Sequence, residues 1–440
     1  MQRRPNNMTR PLNKVIVLPV VLAGLMIASS AQAQLFQVDL TVNGVTETRS
    51  FSSLDSALTL LQGAGIRSVF PGYTSGTPLT ANVNVAGLNV PIIVPAGTTT
   101  AILTVPGTNS SVAFAGQTAA ATQNQLHDFF SGAANTGDPV SALPPEVRAT
   151  LPVEVQNALK ATYTDILQAA VQQTLYDPIA GNPSALMPQM VTADFTAGVS
   201  PPGQLLGVNQ PRAAGWYFSA GFNLNTTTGG GFDTDIYTAP LHASYYVPST
   251  ATEFFIDAPI AYGETSGTGY VQASSGFGVR QRVWHGTNFE WNVTPAVRTG
   301  IAGSESIGRG SLAVGGSLTS DLRLALPGDY TLSIGNTAAY YQTEPYKFGD
   351  YDIRYHLQNQ FYRNGVVVSH PLGEVLGHPL QGGLSFIDTR VTGDETYIPA
   401  WQEYGIVLAT GGRYASRFTI SYIDGDKDYQ AVRFGFNTTF

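Results

Sequence analysis

From Ala214 to Phe440 the chain alternates apolar and polar residues with a period of two. Phe254, Ile256, Ala258, Ile260 and Tyr262 share one parity, and so do Phe289, Trp291, Val293 and Val297. Successive side chains of a strand point to opposite faces, so each such run is greasy on one side and polar or small on the other. Twelve runs are legible: Ala214–Asn225, Phe232–Val247, Thr252–Gly263, Thr268–Trp284, Asn288–Ile301, Arg309–Leu326, Tyr330–Thr343, Tyr351–Arg363, Leu380–Val391, Thr396–Thr410, Arg413–Ile423 and Asp428–Phe440. Most are longer than the ordinary strand of about 5–6 residues. They reach the roughly 9–11 residues that a tilted strand needs to cross a bilayer. If both ends of an even set face one compartment, every second connection should be a tight turn. Pro248–Ala251, His285–Thr287, Pro327–Asp329, Asn364-Gly365 and Gly411-Gly412 occupy those places, and Thr226–Gly231 and Ala302–Gly308 fall in the other set. The pattern predicts a mainly β fold whose C-terminal part, 214–440, is a 12-stranded antiparallel transmembrane β-barrel.

Upstream the period changes. Leu35–Val42 alternates, Asn43-Gly44 is a two-residue hairpin signal, and Val45–Phe51 is the return strand. Ser52 or Ser53 can cap a helix over Leu54–Leu61, whose Leu54, Ala57, Leu58 and Leu61 share a face and which Gly63 and Gly65 end. Between Thr74 and Gly116, Ala81–Val85, Val90–Val94 and Thr99–Val105 read as short strands separated by Gly and Pro. Together 34–116 form a small α+β, β-rich module. Residues 117–213 read as a linker holding one amphipathic helix over about 151–176. There Val155, Leu159, Tyr163, Ile166, Leu167, Val171 and Leu175 recur at i, i+3 and i+4, after Pro152 in the first turn. Asp177–Ala213, rich in Pro and Gly, reads as a connector.

At the start, Arg3, Arg4, Arg10 and Lys14 precede an apolar run, Val15–Ala28, and the small-x-small triplet Ala31-Gln32-Ala33. This is the grammar of a cleavable signal peptide over 1–33, with Gln34 as the mature N-terminus. Its removal takes four basic and no acidic residues, leaving 18 basic against 30 acidic side chains and a mature charge of −12. Such a balance argues against a nucleic-acid partner, which calls for basic patches. Charged residues are 12% of the chain, where roughly 25% is usual, and 47 Gly with 21 Tyr and 21 Phe make up much of the difference. No later stretch reaches the ~20 apolar residues of a membrane helix, so a membrane location requires strands closed into a barrel. There are no cysteines, hence no disulfides and no thiolate metal sites.

The last strand carries Val432, Phe434, Phe436 and Phe440 on one parity and ends on the aromatic. With a signal peptide, an exported segment, an amphipathic helix and about twelve strands before it, the chain resembles an autotransporter-type outer-membrane protein. The resemblance is architectural and covers about Leu151–Phe440. It implies a cell outer-membrane location and a barrel that anchors, and exports, the short N-terminal segment. It also implies outer-membrane lipid as surroundings, the cell's barrel-insertion machinery as partner of the C-terminal strand, a monomer, no cofactor and no enzymatic activity. In this reading Val432, Phe434, Phe436 and Phe440 face lipid, while Arg354, His356, Gln358, Gln360, Glu403, Arg413, Arg417 and Arg433 line the lumen.

A different class of function is carried by Leu241-His242-Ala243-Ser244. His242 and Ser244, two apart on a strand, point the same way and resemble the catalytic pair of outer-membrane lipid hydrolases, in which imidazole activates the hydroxyl. No residue at a telling spacing supplies the group that orients the imidazole, or the oxyanion donor. A passive channel or binding barrel is the third alternative. His370, Glu374 and His378 are a weak metal pattern. Asp424, Asp426 and Asp428 lack the closing Glu of a calcium loop and read as an acidic hairpin tip, and Gly229-Gly230-Gly231 reads as loop flexibility.

Overall fold

A computed structural model describes residues 36–440, apart from 75–76, 86–87, 105–110, 132–173, 230–231, 266, 305–308, 345, 349–350, 354–356 and 412–413. The signal-peptide segment and most of the helix expected over 151–176 lie outside the described residues.

The N-terminal module is one antiparallel sheet of six strands: β1 (Phe36–Val42), β2 (Val45–Phe51), β3 (Leu79–Val85), β4 (Leu88–Val94), β5 (Thr100–Thr104) and β6 (Ser111–Ala115), ordered β2-β1-β3-β4-β5-β6. The β1–β2 hairpin turns at Asn43 and Gly44, both at positive φ. In β1, Phe36, Val38, Leu40 and Val42 are buried and the residues between them are not. Helix α1 (Leu54–Leu60) follows, capped by Ser53, whose hydroxyl accepts from the Ser56 N–H at 3.2 Å. The glycines expected to end this helix instead open a second one, α2 (Gly63–Val69). The stretch read as loose linker after Gly116 forms helix α3 (Ala119–Ser131). Phe129 of α3 meets Phe114 of β6 edge-on at 5.3 Å, so this helix packs on the module's sheet. Its run of Ala, Gln and Asn hid an apolar stripe that Leu126 and Phe129 bury.

The barrel follows. Its strands are β7 (Gly215–Gly229), β8 (Phe232–Ala239), β9 (Leu241–Val247), β10 (Thr252–Asp257), β11 (Ile260–Thr265), β12 (Thr268–His285), β13 (Phe289–Ser304), β14 (Arg309–Ala325) and β15 (Thr331–Glu344). After a small hairpin, β16 (Tyr346–Phe348) with β17 (Tyr351–Ile353), come β18 (Gln358–Val375), β19 (His378–Gly393), β20 (Ala400–Thr410), β21 (Ser416–Gly425) and β22 (Tyr429–Thr439). The pairs β8/β9 and β10/β11 are each one crossing interrupted at a proline, Pro240 and Pro259, which lack the N–H of a ladder bond. That makes twelve crossings, each antiparallel to its neighbours, and β22 pairs with β7 to close the ring. Phe218 and Phe440 exchange both main-chain hydrogen bonds, 3.1 and 2.9 Å, at the seam.

One strand departs from its expected course. The eighth crossing is Gln358–Val375, not Tyr351–Arg363, and the chain turns at Leu376-Gly377. Asn364-Gly365, expected as the turn, lies mid-strand, paired with Asp388 and Ile387. The correction carries two lumen assignments with it. Tyr351 to Ile353 belong to the separate hairpin, so the alternation read across residues 351–357 does not continue into β18. Asn359, Phe361 and Arg363 point inward and are buried, whereas Gln358 and Gln360 are on the outward parity with Tyr362. There they accept hydrogen bonds from the Tyr340 and Tyr362 hydroxyls, 3.2 and 2.9 Å, at the rim of the barrel.

Outside the rim the wall is apolar. Every exposed large hydrophobic residue among those described, apart from Val45 and Ile93, lies between Trp216 and Phe440. Exposed aromatics mark both edges of this band. Trp216, Tyr245, Trp284, Trp291, Tyr330 and Tyr414 ring the end where β7 starts and β22 finishes, here the terminal end. Tyr237, Tyr262, Tyr340, Tyr362, Tyr404 and Tyr422 ring the far end. An apolar band with aromatic girdles at both interfaces is what a hydrocarbon layer selects. No described helix is long and apolar enough to cross a membrane.

Candidate functional site: the barrel lumen

The lumen holds a helix. Helix α4 (Leu186–Val199) packs against β12 to β15 and β18, within the segment expected to be a connector. Apolar residues lie on most of its sides because the wall surrounds it, so the i, i+3, i+4 stripe of a surface helix is missing. Three inward glycines make the groove it occupies. A Cβ would lie 2.9 Å from Leu186 Cδ1 at Gly300, 2.6 Å from Val199 Cγ1 at Gly335 and 2.7 Å from Phe195 Cζ at Gly365. Gly365 sits mid-strand because the helix needs the space.

Both helix ends are bonded to the protein. The Leu186 and Met187 N–H groups donate to the carbonyls of Pro178 and Ile179, each at 2.9 Å. At the other end wall arginines replace a cap. Arg280 Nε donates to the Gly198 carbonyl at 3.0 Å and Arg323 Nη2 to that of Val199 at 2.7 Å. Arg417 donates to Ser200 and Gln204, both at 3.2 Å. Cations beside unsatisfied C-terminal carbonyls complement the helix dipole.

Midway, Asp194 of α4 meets Arg298 of β13. Arg298 Nε donates to Asp194 Oδ1 at 2.9 Å, and its two terminal nitrogens grip Asp257 of β10 at 2.5 and 2.8 Å. The Tyr341 hydroxyl donates to Asp194 Oδ2. Arg280 and Arg323 share Asp321, at 3.1 and 3.0 Å. Below the helix, Arg212 forms a two-pronged pair with Glu253, both contacts 2.6 Å, and lies over the Tyr217 ring.

The lumen residues expected from the pattern divide three ways. Glu403, Arg417 and Arg433 face inward, with Glu403 accepting from Arg363 at 2.7 Å and from Arg433 at 3.3 Å. Gln358 and Gln360 face out, as described above. Arg354, His356 and Arg413 lie outside the described residues. On the closing strand Val432, Phe436 and Phe440 are exposed on the outer face and Phe434 shares their parity, half-buried. Asp194, Asp257, Arg280, Arg298, Arg323 and Arg363 were not singled out. Arg280, Arg298 and Arg323 stand on the polar parity of predicted strands, and that was the available signal.

His242 and Ser244 share the inner face of β9, away from the apolar exterior, with Ser244 fully buried. They are not hydrogen-bonded to one another, and His242 stacks on Phe255 at 5.5 Å. His370 packs against the Tyr330 ring at a tilt, 4.5 Å between centroids. Among the described residues no three His, Cys, Asp or Glu side chains converge as metal ligands.

The decisive feature is the route of the chain. The module lies against the far end, where Thr268 of the barrel rim donates to the Ser52 carbonyl at 2.9 Å. Its buried residues run into one apolar cluster with Tyr176, Ile179, Leu357, Ile398, Trp401 and Tyr429. From there the chain descends through the lumen as α4 and emerges at the terminal end to begin β7. In architecture this is a closed twelve-crossing β-barrel with an apolar, aromatic-edged outer face, threaded by its own chain. No family model matches the sequence, and no curated protein does. Among solved structures the chain is similar to the β domain of the Bordetella autotransporter BrkA, at 11% identity over 52% of this chain and 99% of that one, TM-score 0.39. It is also similar to the translocator domain of the autotransporter NalP from Neisseria meningitidis, at 12% identity over 58% and 94%, TM-score 0.39. An outer membrane channel from Pseudomonas putida F1 is similar at 9% identity over 52% and 97%, TM-score 0.38.

Proposed function

We propose that the barrel anchors the N-terminal module in the outer membrane and holds it on the outer surface, with the lumen segment as its tether. The observation that carries this reading is the lumen route. A chain that enters one mouth of a membrane barrel and leaves by the other places what precedes it and the start of β7 on opposite sides. Retention follows from the bonds along that route, since Asp194, the three arginines at the helix end and the Arg212–Glu253 pair tie the tether to the wall at three heights. Export through a cleavable signal peptide over 1–33, and assembly through the barrel-insertion machinery by way of β22, complete the proposal. The barrel then works without cofactor and without catalysis, as a monomer in outer-membrane lipid.

Protease treatment of intact cells tests it. An epitope inserted beside Thr48 should be removed from outside, while one in the Leu376-Gly377 turn should survive until the envelope is opened. Survival of the Thr48 epitope on intact cells, with the purified barrel still heat-modifiable, would refute surface display.

A further inference from the structure

The helix fills only part of the lumen. Between its Thr192 and Thr196 face and the strands β7, β9, β18 and β19 to β22 lies a cavity of about 320 Å³. That volume is at the small end of the roughly 300–1,000 Å³ typical of small-molecule sites. Arg363, Arg417 and Arg433 line it, together with Glu403.

The charges do not balance. Glu403 has one oxygen engaged by Arg363 and the Trp401 indole, 2.7 and 3.1 Å, and the other by Arg433 at 3.3 Å. Its single charge is shared between two guanidinium groups. Arg417 has no carboxylate within ion-pair distance among the described residues and bonds only the carbonyls of Ser200 and Gln204. The other acid lining the cavity, Asp257, is held bidentate by Arg298. Among the described residues, three guanidinium groups therefore face one carboxylate. Each also keeps a buried nitrogen with no hydrogen-bond partner among the described residues: Arg363 Nε, Arg417 Nε and Arg433 Nη2. Buried cations left without a counter-charge are costly. The guanidinium fork matches the oxygens of carboxylate and phosphate.

We propose that this cavity is an oxyanion-binding site, taking a phosphate or carboxylate group on Arg363, Arg417 and Arg433. The proposal does not depend on surface display, since it rests on the lumen wall and the segment inside it.

Equilibrium dialysis of the full-length barrel in zwitterionic detergent with radiolabelled inorganic phosphate tests it. Saturable binding near one phosphate per barrel is expected, displaced by acetate and not by chloride at equal ionic strength. Arg417→Gln and Arg433→Gln should each weaken binding about tenfold or more, the equivalent of 1.4 kcal/mol. Arg390→Gln, at an exposed arginine paired with Asp388, should leave it unchanged. Heat-modifiable gel mobility reports whether each variant is folded. The wild-type measurement stands even if a lumen variant fails to assemble, because absence of saturable binding there overturns the site. Equal binding by folded lumen variants, or displacement by chloride as readily as by acetate, also overturns it.

Discussion

Arg298 stands between two carboxylates, so the two sides of its ion pair are not equivalent to mutation. Arg298→Met leaves Asp194 and Asp257 facing each other with no cation, at a cost of about 3–5 kcal/mol. Asp194→Asn keeps the bidentate Arg298–Asp257 pair and loses one charge-assisted bond, at about 1–2 kcal/mol. Urea unfolding of the barrel in lipid vesicles, followed by tryptophan fluorescence, should rank the two in that order. A second residue-scale test addresses the parity of β18. Asn359 is buried in the lumen, and its side-chain amide donates to the Asp394 carbonyl at 2.7 Å, while neighbouring Gln360 faces out. In the same assay Asn359→Leu should destabilise by about 1–3 kcal/mol by orphaning that carbonyl, and Gln360→Leu by less than about 0.5 kcal/mol. The reverse order would restore the lumen assignment of Gln360.

At the level of elements, α4 and the glycines of the wall were shaped together. Gly365→Val places carbon where the Phe195 ring lies, and overpacking of this kind costs about 1–3 kcal/mol. Phe195→Ala empties the same space, so the double variant should be less destabilised than the sum of the two single changes. Strict additivity would mean that the helix and Gly365 are not in contact. The closing strand makes a separate prediction. Deleting residues 437–440 removes the pairings of Asn437, Thr438 and Thr439 with Gly221, Ala220 and Ser219, and both main-chain bonds between Phe440 and Phe218. An unclosed edge leaves backbone groups unsatisfied in lipid. The truncated chain should lack the compact, heat-modifiable gel band expected of the full-length protein.

Taken whole, the described residues form a module, a ring and, between them, the lumen segment. Its fastenings lie inside the wall rather than on the surface. Loosening it should open the lumen: Arg298→Met is expected to raise single-channel conductance in planar bilayers while the outer girdles keep the barrel inserted. Unchanged conductance in a folded Arg298→Met barrel would show that the remaining bonds hold the helix in place alone.

The alternation from Ala214 onward determined the class of fold, the number of crossings and the outward faces of Phe254 to Tyr262 and of the closing strand, because a period of two is a local property that a bilayer reads directly. Ser53 capping and the Asn43-Gly44 turn were legible for the same local reason. What occupies the lumen was decided by tertiary structure alone. Leu186–Val199 has β-branched residues and a glycine and lacks an amphipathic stripe, so Pro188 in its first turn is the one local mark of a helix. It forms because the wall offers a glycine-lined groove and arginines for its carbonyls. Asn364-Gly365 misled for the complementary reason. The pair that favours a turn in isolation is held straight by β15 and β19 on either side, and its glycine is needed beneath Phe195. Period fixes faces; only the closed ring, by bringing strands distant in sequence around one helix, fixes which charges meet.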